Sequence, residues 1–125
     1  MANKPVFGDG VTDVGFTIGT EASNVITVAV QLKAGGADLS ESMCVGYYLS
    51  TDSAGDTMAT DPGTVAAGTD GTVIAEWVDD VCGVVKSETD GDIDIAVTHT
   101  GASAYYLNVI MPSGRVVTSG IVQFA

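Results

Sequence analysis

The sequence predicts an all-β antiparallel sandwich, and three observations predict it. Apolar and polar residues alternate at period two in several short runs, the pattern of half-buried strands. Turn residues bound these runs, drawn from 16 glycines in a chain of 125 residues. No apolar run holds helical period over a helix's length. The one helical stretch the sequence suggests, Ala37 to Met43, is about two turns, too short to be stable alone.

The clearest strands lie between Thr89 and Gly120. Asp90-Gly91 turns the chain into Ile93, Ile95 and Val97, with polar Asp92, Asp94 and Thr98 between them. A second turn, Thr100 to Ser103, precedes Tyr105, Leu107, Val109 and Met111, which share one parity. Pro112-Ser113-Gly114 then starts a last run to Phe124. Three such runs joined by short connections read as an antiparallel meander. Upstream, Val25–Leu32, Cys44–Ser50, Thr72–Val78 and Val81–Lys86 complete about seven strands, which fits an immunoglobulin-like sandwich. Tyr105 stands where that fold places a tyrosine corner, so its hydroxyl is expected to bond to nearby backbone. Leu107 takes the place of the fold's later cysteine. The expected core is Ile26, Val28, Val30, Tyr47, Leu49, Ile95, Val97, Tyr105, Leu107 and Val109.

Two regions divide the chain: an N-terminal arm, residues 1–23, and the sandwich, residues 24–125. The arm has no periodic run of its own but carries Phe7, Val14, Phe16 and Ile18. Those groups suit an extended segment laid on a partner's sheet edge, and the sandwich is expected to fold without it. Thr51 to Gly71 reads as one long loop, and long loops on rigid scaffolds commonly carry binding. Met58 and Pro62 are its candidate contact residues.

Composition excludes several functions. Sixteen acidic residues against four basic ones give a net charge of −12. The basic residues Lys4, Lys33, Lys86 and Arg115 are scattered, so nucleic acid and anionic membrane are disfavoured as partners. The start has no apolar segment of signal-peptide type, and no run approaches membrane-spanning length. Cys44 and Cys82 are expected to be reduced and mostly buried.

Catalytic chemistry finds no pattern here. The single histidine, His99, reads as a surface or turn residue without triad partners. No phosphate loop, dinucleotide fingerprint or zinc spacing occurs, and no cofactor is expected. Asp90, Asp92 and Asp94 begin like a calcium loop, but Ile95 stands where that loop needs glycine. They are weak metal candidates, and a solvated strand face explains them better. The lone Trp77 fits either a core position or a sugar-stacking platform.

Four segments resemble small structural proteins of tailed bacteriophages. They are NVITVAVQLK (Asn24 to Lys33), YYLSTDSAGD (Tyr47 to Asp56), GTDGTVIAEW (Gly68 to Trp77) and the stretch from Ser87 to Ala125. Within them lie an S-x-D-x-x-G-D loop, a D-G-D-I-D strand and a P-x-G-R hairpin. The resemblance implies no active site. It implies a virion protein of head-decoration type, made in the host cytoplasm. Such a protein binds the major capsid protein on the head exterior and is present there as a homo-oligomer. A tail or head-fibre module that contacts the host surface is the alternative within virions. Outside virions the alternative is a carbohydrate-binding sandwich.

Overall fold

A computed structural model of the protein describes residues 11–60 and 62–125. Its elements are β1 (Asp13–Ile18), β2 (Val25–Ala34), β3 (Ala37–Asp38), β4 (Cys44–Ser50), β5 (Thr64–Ala67), β6 (Thr72–Val78), β7 (Cys82–Lys86), β8 (Asp92–Thr98), β9 (Ser103–Ile110) and β10 (Val116–Phe124). The expected strands are all present, and β1, β3 and β5 are additional. Two antiparallel sheets pack as a sandwich. One, sheet A, has the order β1-β2-β8-β5, with β3 also paired to β2; the other, sheet B, has the order β10-β9-β4-β7-β6.

Parity builds the core. Ile26, Val28, Val30 and Leu32 of β2 point inward beside Ile93, Ile95 and Val97 of β8. Opposite them stand Val45, Tyr47 and Leu49 of β4 with Leu107 and Val109 of β9. All ten expected core residues are buried.

Several expectations need correction. No helix forms over Ala37 to Met43. Gly35 and Gly36 both have positive φ (61° and 86°), the geometry of a two-residue hairpin turn, and β3 folds back on the end of β2. The run from Thr89 to Gly120 is not a meander, because β8 belongs to sheet A and β9 to sheet B. Its connection, through Gly101 at φ 101°, crosses between sheets, and only β9 and β10 form a hairpin. The long loop is interrupted: β5 pairs with β8 from Thr64↔Thr98 to Ala67↔Ile95, carrying the chain from one sheet to the other.

The boundary at residue 23 also moves. Six register pairs, from Asp13↔Lys33 to Ile18↔Val28, make β1 the edge strand of sheet A. Val11 and Val14 are buried in the common core, and Phe16 and Ile18 pack against it. The apolar residues of this stretch thus have a local element after all, within their own chain. Phe7 lies outside the described residues.

Candidate functional site

The two outer faces of the sandwich differ in kind. On sheet A, register and parity turn Asp13, Thr17, Thr27, Gln31, Lys33, Asp92 and Asp94 outward, an ordinary solvated face. On sheet B the outward positions include Gly46 and Tyr48 of β4, Cys82, Val84 and Lys86 of β7, and Tyr106, Asn108 and Ile110 of β9. The strands of this sheet carry two charged residues, Glu76 and Lys86. An antiparallel sheet that faces water on one side normally alternates; here β4, β7 and β6 keep apolar residues on the outward parity as well, while β9 and β10 place Asn108, Thr118 and Gln123 there.

Both edges of this face expose large apolar groups. Trp77 is 64% exposed and Ile74 56% on β6, while Val116 and Ile121 are 42% and 46% exposed on β10. A hollow of about 260 Å³ lies between Trp77, Met58, Tyr48, Cys82 and Ile110, bordered by Gly55 and Asp56. It is smaller than the roughly 300–1,000 Å³ of ordinary small-molecule sites.

The segment from Thr51 to Met58 folds back over one end of the face. The Tyr48 hydroxyl donates to the Gly55 carbonyl at 2.7 Å. Asp52 accepts the backbone N–H groups of Thr57 (3.0 Å) and Asp56 (3.1 Å), which hold its carboxyl below the usual range. Burial, with Asp52 and Asp56 nearby, pushes the Tyr48 phenol up. Beneath the loop, Asn108 is fully buried. Its amide donates to Ser50 Oγ at 2.9 Å, and its carbonyl accepts from Thr118 Oγ1 at 2.6 Å. A Cβ on Gly55 would meet Asn108 Oδ1 at 2.5 Å, so only glycine lets the loop lie this close.

Under the same sheet, Tyr47 points into the core, and its buried hydroxyl has no hydrogen-bond partner among the described residues. Burial, then Glu76, pushes its pKa up to about 12.

The sequence-predicted residues fall in different places. Met58, 44% exposed, borders the hollow. Pro62 is buried, and its carbonyl lies 3.1 Å from His99 Nδ1. A carbonyl only accepts, so Nδ1 carries the proton, and Tyr105 Oη sits 3.3 Å from the same nitrogen. The Tyr105 hydroxyl therefore meets a side chain, not the backbone expected of a corner. His99 is half-buried, with its ring 5.5 Å from that of Tyr105 and 5.6 Å from that of Phe124. It packs as a structural residue just past the end of β8, where a surface or turn residue was expected.

Val14 is buried in the core, and Phe16 and Ile18 are half-buried against it. Val14 is thus closed to a partner. Cys44 and Cys82 are free, as expected, but the first is exposed and the second half-exposed, because both lie on outward parity. Trp77 is exposed, not core.

Asp92 and Asp94 lie half-buried on the outer face of sheet A. Asp94 Oδ2 accepts the Asp70 N–H, and Asp90 Oδ1 accepts the Asp92 N–H, both at 3.2 Å. Desolvation raises the carboxyl pKa of Asp92 and of Asp70, and Asp90 and Asp94 respectively add to it. Among the described residues the carboxylates that gather within 4.8 Å are instead those of Glu76, Asp79 and Asp80. Two of them already serve backbone: Glu76 accepts the Asp80 N–H, and Asp80 accepts the Val65 N–H.

The residues that matter most here, Tyr48, Val84 and Ile110, escaped the parity reading because it followed the inward set. The signal was present in the other set, whose one charge is Lys86 at the end of β7. No helix among the described residues is long and apolar enough to cross a membrane. No protein-family model, curated protein or solved structure matches the chain.

Proposed function

We propose that the protein is a structural assembly protein, most concretely a capsid decoration protein that binds the major capsid protein lattice on a phage head. One observation carries the assembly reading: a largely apolar sheet face, whose one outward-parity charge is Lys86 at its end, on a chain of net charge −12. Contiguous exposed apolar surface of this kind marks protein contact, while acidic surroundings keep the rest of the molecule soluble. The phage assignment draws its support from the resemblance across Asn24 to Ala125. On a lattice, modest contacts act together through high effective concentration.

The finer fold in this reading is immunoglobulin-like. β1, β2, β8 and β5 take the order A-B-E-D, and β10, β9 and β4 the order G-F-C. The β6–β7 hairpin, inserted between D and E, widens the second sheet at its C edge.

Quantitative mass spectrometry of purified particles tests the proposal. A copy number comparable to that of the major capsid protein is expected. A handful of copies transfers the protein to a tail or head fibre, and absence from particles refutes the virion reading. Exposed Trp77 beside Tyr48 favours one other reading, carbohydrate stacking. Saturable binding on a glycan array that Trp77→Ala abolishes would establish it.

A further inference from the structure

We infer that the hollow beside Trp77 receives one arginine side chain of a partner protein, its guanidinium stacked on the Trp77 indole and paired with the Asp56 carboxylate. The inference rests on the reading that this face is a protein contact, not on the phage particle. At about 260 Å³ the hollow is undersized for an ordinary small-molecule ligand and suits a single inserted side chain.

The lining selects among side chains. Trp77 and Tyr48 wall the hollow, with Met58 and Ile110 beside them. Trp77 is 64% exposed, so its ring is open to a partner. Aromatic faces are electronegative and attract a cation within about 6 Å of the ring centroid, tryptophan most strongly. The Tyr48 hydroxyl is engaged by the Gly55 carbonyl, so Tyr48 contributes its ring and not a free donor. Asp56 gives its N–H to Asp52, but its carboxylate makes no hydrogen bond among the described residues. It is the one charged group on the lining.

An apolar side chain would desolvate that carboxylate without pairing it, and an acidic one would be repelled by it. A sugar ring asks for several polar partners, where the lining offers Asp56 and little else. Arginine satisfies the whole set. Its stem packs against Met58 and Ile110, its plane stacks on the indole, and its fork donates to the carboxylate.

Charge also calls for a cation from outside the chain. Asp52 and Asp56 both stand near the Tyr48 phenol, and the carboxylates of Glu76, Asp79 and Asp80 gather within 4.8 Å of one another next to Trp77 in the chain. No base of the chain answers them. Among the described residues the one ion pair is Lys33–Asp38, on sheet A. Lys86, the one base in the strands of sheet B, pairs in register with Cys44, four residues and so about 13 Å along β4 from Tyr48. An approaching arginine is therefore attracted at long range as well as on contact.

Amide NMR of the isotope-labelled full chain, titrated with acetyl-Gly-Arg-Gly-amide, tests this. Saturable shifts at Gly55, Trp77 and Ile110 are expected in the millimolar range. The citrulline peptide, of the same shape without the charge, should give none, and the lysine peptide should bind more weakly because it cannot stack. Asp56→Asn and Trp77→Leu should each weaken the arginine peptide severalfold with the melting temperature kept, since both side chains are exposed. Trp77→Phe should restore part of the loss. Absence of saturable shifts, equal binding of the citrulline or lysine peptide, indifference to both variants, or a glycan that saturates the hollow where arginine does not each overturns the inference. A chain that ignores the peptide while Trp77 is shielded on assembled heads defeats this inference alone; one that binds it while absent from particles defeats the virion reading alone.

Discussion

The hydroxyl of Tyr48 donates to the carbonyl of Gly55 at 2.7 Å, seven residues along, and so ties a surface loop to the sheet face that this loop partly roofs. One side chain thereby serves two ends: its hydroxyl holds the loop, and its ring walls the hollow beside Trp77. Tyr48→Phe keeps the ring and removes the tie. A loss of about 0.5–1.5 kcal/mol in denaturant unfolding is expected, the usual net worth of one hydrogen bond. Faster amide exchange at Gly55 and Thr57 should accompany it, while unchanged exchange would mean that Asp52 alone fixes the loop.

A chain beginning at Ser23 should be severely destabilised. It lacks the six-pair ladder of β1 and the buried side chains of Val11 and Val14. Burial of a valine side chain alone is worth about 1.5–3 kcal/mol. A melting temperature within a few degrees of the full chain's would show that β1 is an appendage.

Tyr47→Phe should stabilise the protein by about 1 kcal/mol. The substitution removes a buried hydroxyl that has no partner among the described residues, and a stranded polar group costs about 1–3 kcal/mol. Urea unfolding reads this directly; destabilisation by the phenylalanine would reveal that the hydroxyl is satisfied.

Acid should stabilise the Asp70–Asp92 region before it destabilises the whole. The carboxyl pKa values of Asp92 and Asp70 lie above their ordinary value in the folded state. The stability linked to their protonation is complete below the unfolded pKa and is lost as pH rises through the folded one. Asp52, whose pKa is lowered, works the other way, and its contribution is lost as pH falls through its folded pKa. Asp92→Asn should therefore raise the melting temperature at pH 7, and the gain should vanish as pH falls through the carboxylate range. A gain independent of pH would point to a cause other than charge.

Strand parity carried most of the architecture in the sequence, because period-two burial depends only on local alternation. The inward residues of β2, β4, β8 and β9 were legible for that reason. Sheet membership was not. The turn at Gly101 looks like any short connection, and only the packing of His99, Tyr105 and Phe124 shows the chain crossing between layers there. β1 was legible in the same way as β2, since Val14, Phe16 and Ile18 alternate with Gly15 and Thr17 and the strand pairs with its immediate successor β2; only the shortness of the run hid it. The candidate face was half legible: Tyr48, Val84 and Ile110 are plainly uncharged in the sequence. That they share one surface with Trp77 follows only from the strand order.

Trp77 is the only tryptophan in the chain and sits on an edge of the face, so its fluorescence reports the central claim that this face is a protein contact. Acrylamide quenching should be that of a solvated indole in dilute protein. It should fall severalfold on assembled heads, with a blue shift in emission. Quenching that stays the same on assembled heads would contradict the account.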